Sequence, residues 1–138
     1  MRHCDDAPPR ELLRAIGQFN GRDWFECHET LEELWVGSEG ELRDFYQGVL
    51  QLAVALHHWR NGNFGGAVSL LKGGAGYLRR VGTTCQRVDV SGLIAAAERV
   101  REALEDLGTA RMAELAPDLI PVLRLVPLPA AGEEAGKP

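Results

Sequence analysis

The sequence holds little of what usually announces a reaction or a special environment. Cysteine is sparse: Cys4, Cys27 and Cys85 are odd in number and form no C-x-x-C pair. Neither a disulfide framework nor a zinc knuckle is expected from that pattern, and a reducing cytoplasm fits it. Positive charge is short as well, with 15 Lys and Arg against 20 Asp and Glu and a net charge of −5. Nucleic-acid binding, which leaves a basic footprint, is therefore not expected. Long apolar runs are missing. The longest stretch without a charged side chain, Phe45 to Trp59, includes Gln47, Gln51, His57 and His58, and it falls short of the roughly 20 mostly apolar residues a membrane span needs. Met1-Arg2-His3-Cys4-Asp5-Asp6 is polar and acidic where an export signal would be apolar, so neither export nor membrane insertion is expected. No glycine-rich phosphate loop is present. Cys27 and His28 are neighbours in sequence, but adjacent residues on a helix point about 100° apart, which argues against a thiol with its base.

What remains is an ordinary globular composition, 45% hydrophobic and 25% charged over 138 residues. That length suits one domain. Proline is absent between Pro9 and Pro117, so everything from Arg10 to Ala116 is free to be helical while both ends are not. Apolar residues recur at spacings of three and four, with no sustained alternation, which predicts an all-α fold. The expectation is one compact domain over residues 1–126, built of about five helices as antiparallel hairpins around a central apolar helix. Residues 127–138 are read as a disordered tail.

The first helix is expected over Arg10 to Phe19. The second follows Asn20-Gly21-Arg22, with Asp23 and Glu26 spaced as a capping box, and ends near Trp35. The third, Glu41 to Arg60, is apolar around most of its circumference and belongs at the centre. Asn63 caps the fourth, which runs through Leu71 to Arg80. Gly73, Gly74 and Gly76 cost that helix about 1 kcal/mol each relative to Ala, so either a neighbour packs very closely there or the helix is locally soft. The fifth, Val90 to Leu107, is capped by Asp89, and Leu119 to Val126 should dock irregularly. Gly62-Asn63-Phe64 resembles the turn of a tetratricopeptide hairpin, but one hairpin makes no array.

One polar constellation stands out. On the second helix His28 falls within the apolar cluster of Trp24, Cys27, Leu31, Leu34 and Trp35, with Glu32 and Glu29 on its flank. On the third, Gln47, Gln51 and His58 form a second stripe opposite Phe45, Val49, Leu52 and Leu56. Counting outwards from the Gly37 to Gly40 turn sets Glu32 beside Arg43 or Asp44 and His28 beside Gln47 or Gln51, with His58 too far along to join them. A buried imidazole and carboxylate require partners, so the expectation is a structural network of His28, Glu29, Glu32, Arg43, Gln47 and Gln51. Trp24, Trp35 and Trp59 are read as core, with a ligand groove lined by them as the alternative.

The sharper alternative is an enzyme, acid–base or metal-assisted, centred on His28 and Glu32. Those two, at i and i+4, are the metal candidates, although no metal or other cofactor is implied. His28-Glu29-Thr30-Leu31-Glu32 departs from the helical zinc-protease motif by having Glu32 for its second histidine, and a di-iron bundle would need two Glu-x-x-His repeats.

These spacings also carry a resemblance. Phe19-Asn20-Gly21, Trp24-Phe25-Glu26-x-His28-Glu29-x-Leu31-Glu32-x-x-Trp35, Arg43-x-Phe45-x-Gln47-Gly48-x-x-Gln51 and His58-x-x-x-Gly62-Asn63-x-x-Gly66-Ala67 together resemble a small prokaryotic family, domain of unknown function 309, over residues 19–78. The resemblance implies an all-helical domain without an established activity. It also implies that His28, Glu29, Glu32, Trp35, Gln51 and His58 stand at motif positions. The reading leans to a binding or interaction domain rather than an enzyme. A protein or small-molecule ligand is the expected partner, and oligomerisation is permitted without being required.

Overall fold

Helix formation follows the proline gap. The computed structural model describes residues 2–127, and its five helices are α1 (Arg10–Asn20), α2 (Trp24–Val36), α3 (Gly40–Arg60), α4 (Phe64–Leu78) and α5 (Val90–Arg111). Gly108 interrupts α5 with φ 74° and ψ 177°, a conformation essentially restricted to glycine. The regular helix thus stops at Leu107. Two caps form as expected: Asn63 Oδ1 accepts from Gly66 N and Asp89 Oδ1 from Gly92 N, each at 2.9 Å. The capping box at Asp23 does not form, because Asp23 makes no side-chain cap bond and its amide is already donated to Gln18 O at 2.8 Å within the α1–α2 turn. Glu26 has no amide left there to receive. The fourth helix ends at Leu78, two residues before the expected Arg80.

The central place of α3 is as its sequence predicts. Phe45, Tyr46, Val49, Leu52, Ala53, Ala55 and Leu56 are all fully buried, and they join α1, α2, α4 and α5 into one hydrophobic core. The glycines of α4 answer the question their low propensity raises. A Cβ on Gly74 would stand 2.9 Å from the carbonyl oxygen of Gly48 and 2.7 Å from Leu52 Cδ2, and one on Gly48 would stand 2.6 Å from Leu78 Cγ. Helices α3 and α4 therefore touch backbone to backbone at Gly48 and Gly74, and close packing is the right alternative there. Gly76 meets nothing within 4 Å.

Two features depart from the all-helical expectation without changing its class. Thr84–Cys85 (β1) and Val88–Asp89 (β2) pair antiparallel across Gln86 and Arg87, whose φ values are 46° and 68°. Two consecutive left-handed residues give the tight turn that matches strand twist, normally built from Asn and Gly. Here tertiary bonds support it. The Tyr46 hydroxyl donates to Gln86 Oε1 at 2.6 Å, and Arg87 Nη2 donates to Val126 O at 2.6 Å. The docking segment expected at Leu119 to Val126 adds a third edge, with Leu125 bridged to Val88. Asn20 fastens it, accepting from Leu123 N at 2.7 Å and donating to Leu123 O at 3.0 Å.

The cysteine expectation is overturned: Cys4 and Cys85 form a disulfide across 81 residues of sequence, and Cys27 alone is free. Their spacing matches no local motif, since the pairing is made by the ribbon turning back onto the segment before α1. Among the described residues no helix is long and apolar enough to cross a membrane. The expected tail, apart from Pro127, lies outside the described residues.

Candidate functional site

The α2–α3 hairpin sets its own register through aromatic contacts. At one end the Arg43 guanidinium lies 4.3 Å above the Trp35 ring. At the other, Trp24 meets Trp59 edge to face at 6.4 Å between centroids. Trp59 Nε1 donates to Met112 O at 2.8 Å, tying α3 to the turn after α5, and Arg60 covers the Trp24 ring at 4.6 Å. The three tryptophans thus divide between opposite ends of the hairpin. They pack or carry cations, and they do not line a common groove.

His28 does not enter a buried network. Its Nε2 lies 3.2 Å from Glu32 Oε2, with the imidazole 29% and the carboxylate 58% exposed. The partner sits on its own helix, one turn on, as i,i+4 geometry allows. No hydrogen bond joins His28 to Gln47 or Gln51, nor Glu32 to Arg43, among the described residues. The physical reason is rotation as well as level: Gln51 and His58 of α3 are turned towards α4. Gln51 Oε1 occupies the space a Cβ on Gly73 would need, and His58 Cδ2 lies against Gly66. His58 Nδ1 is 3.3 Å from Asn63 Nδ2. The Arg43 charge is spent on Trp35, and Glu29 stands exposed beyond the pair.

What α3 does offer His28 is reached through an aromatic ring. Phe25 lies 6.0 Å from the His28 ring and 5.7 Å from that of His57, in tilted contacts. Phe25 is 51% exposed although its neighbour Trp24 is fully buried. His57 Nε2 is 3.1 Å from Asn61 Nδ2. Phe25 and His57 were missed from sequence. The available signal was the i,i+3 spacing of Phe25 and His28, which puts two aromatic rings on one helical face. The resulting face runs Glu29, Glu32, His28, Phe25, His57, Asn61: carboxylates at one side, imidazoles and an apolar ring in the middle.

Its chemical repertoire is narrow. Among the described residues no group of three or more His, Cys, Asp or Glu could hold a metal ion. Cys27, one residue from His28, is buried and donates to Ala15 O at 3.3 Å. Burial pushes its thiol up to about 12, and a backbone hydrogen bond at Phe19 offsets this in part. A thiolate nucleophile is thereby ruled out at neutral pH.

Comparison with known proteins agrees with the motif. The family model described as domain of unknown function DUF309 matches residues 12–70, a range that runs from within α1 through α2 and α3 into the first half of α4. The chain is similar to an uncharacterized protein, YpuF, of Bacillus subtilis (strain 168), at 42% identity over 65 residues, or 46% of this chain and 37% of that protein. It is also similar to an uncharacterized protein of Aquifex aeolicus (strain VF5), at 38% identity over 55 residues, covering 38% of this chain and 16% of the relative. The matched region thus spans well under half of either relative, and both relatives are bacterial.

Proposed function

We propose that this chain is a small helical binding module that takes up a segment of a partner protein on the α2–α3 face around Phe25. The observation that carries the reading is the half exposure of Phe25 between two imidazoles. An aromatic side chain offers roughly 200 Å² on burial, so covering the exposed half would contribute about 2.5 kcal/mol at 25 cal/mol per Å². That is the scale of an interface hot spot. Glu26, Glu29 and Glu32 are exposed on the same helix, so a complementary segment would carry an apolar anchor flanked by Lys or Arg. The recurrence of a stretch of 55 to 65 residues within longer relatives fits a module joined to other parts. A cytoplasmic setting belongs to this proposal, and there the Cys4–Cys85 bond would meet thiol reductants.

The alternative, an acid–base or metal-assisted enzyme centred on His28 and Glu32, has their 3.2 Å contact in its favour. It lacks a nucleophile or a third ligand beside the pair. One experiment separates the readings. Titration with an amphipathic Leu/Lys peptide should shift the NMR signals of Phe25, His28, Glu32 and His57, whereas an amphipathic Leu/Glu peptide should not. Phe25→Ser should weaken the Leu/Lys complex at least tenfold, about 1.4 kcal/mol. Shifts confined to another face, or undiminished binding by Phe25→Ser, would refute the module. Metal bound by the wild type and lost in His28→Ala would favour the enzyme instead.

A further inference from the structure

A second device lies at the opposite end of α2, in the segment that precedes α1. No residue between Arg2 and Pro9 is buried; Cys4, Pro8 and Pro9 are only partly covered. The far end of this arm is nevertheless fixed in place. Cys4 is bonded to Cys85, the Gln86 amide donates to Cys4 O at 2.5 Å, and Gln86 Nε2 donates to His3 O at 3.4 Å. So held, Arg2, His3, Cys4 and Asp5 form one wall of a half-open cleft of about 1400 Å³. Glu33 and the α2–α3 turn from Gly37 to Arg43 form the other wall. The arm buries almost no apolar surface of its own, and ordering it carries a backbone entropy cost that only the disulfide and these few bonds oppose.

We infer that the Cys4–Cys85 disulfide is a redox latch on this cleft: a dithiol reductant cleaves it, residues 2–7 leave the β1–β2 ribbon, and the cleft loses that wall. Cys4 borders the cleft and is partly exposed, whereas Cys85 is fully buried, so the reductant's thiolate attacks Sγ of Cys4. The S–S electron pair departs on Cys85 Sγ, which takes up a proton. The reductant's second thiolate then attacks its own sulfur in the mixed disulfide and releases Cys4 as a thiol. Two electrons pass from the dithiol to the protein, and the reductant leaves as its disulfide. Because the core of α1 to α5 is continuous without the arm, the reduced protein keeps its helices. This inference is independent of the Phe25 face.

The test compares the full chain, oxidised and reduced, by hydrogen exchange with mass spectrometry. Dithiothreitol and glutathione buffers set the redox state, and alkylation counts the thiols. Reduction should free the Gln86 amide and so raise exchange in peptides covering 84–88 on the order of 100-fold, while α2, α3 and α4 stay within about twofold. Cys4→Ser should show the same pattern with no reductant present. Three results would each overturn the latch. The bond could persist in a large excess of reduced dithiothreitol, which makes it a permanent staple. Exchange in 84–88 could be unchanged after reduction, so that the arm does not leave. Protection could instead be lost across all the helices, so that the bond holds the whole fold.

Discussion

Replacing one glycine of α4 tests the account of its contact with α3 directly. Ala for Gly in a helix interior contributes about 1 kcal/mol of propensity. At Gly74 that gain meets an obstacle, because the added Cβ would stand 2.9 Å from the Gly48 carbonyl oxygen and 2.7 Å from Leu52 Cδ2, where 3.4–4 Å is ordinary contact. Leu52 can rotate, but the carbonyl belongs to the α3 backbone and moves only if the helices separate. Overpacking of this kind costs about 3 kcal/mol at the upper end of its range, and separation also forfeits dispersion contacts along the interface. Gly74→Ala should therefore lose a net of about 2 kcal/mol. Gly76→Ala, two residues on and with nothing within 4 Å of its Cβ, should gain about 1 kcal/mol. The two variants should differ by about 3 kcal/mol in urea unfolding at equal m-value. If Gly74→Ala proves as stable as Gly76→Ala, the backbone contact between α3 and α4 is not real.

Other consequences are open to simpler measurements. Tyr46→Phe strands the buried Gln86 Oε1 and should cost about 1–3 kcal/mol, and adding Gln86→Leu should recover part of the loss. Glu98 is held below its ordinary 4.5, chiefly by the hydrogen bond from Arg101. A carboxylate whose folded value is depressed contributes stability above the ordinary value and loses it as pH falls through the folded one. The stability deficit of Glu98→Gln should accordingly be visible near neutral pH and vanish well below 4.5 in acid unfolding. Cys27, with its thiol pushed up to about 12, should resist iodoacetamide in the native protein at mildly alkaline pH and react once urea exposes it. Rapid native alkylation would show that the α1–α2 contact opens readily.

Fold class was legible because its signals are local. Proline gaps, spacings of three and four, and the caps at Asn63 and Asp89 act within a few residues of where they are read. The same locality found the His28 and Glu32 pair, whose atoms sit on one helix. Errors begin where two elements must be placed against each other. Counting from the Gly37 to Gly40 turn puts the Gln51 stripe of α3 against α2, whereas in the structure Gln51 and His58 lie against Gly73 and Gly66 of α4. Glu32 and Arg43 consequently never meet. Asp23 failed as a capping box for a related reason, its amide being claimed by α1.

By itself the sequence determined that this chain is a helical domain, which helix is central, and that residues 19–78 resemble a known family, since each depends on patterns read along one stretch of chain. Tertiary structure alone decided that Cys4 meets Cys85, that Gln86 and Arg87 turn a ribbon without glycine, and that Phe25 stands at the surface between His28 and His57. Each of those outcomes depends on contacts between segments far apart in the chain, and such contacts leave no periodic trace in either segment.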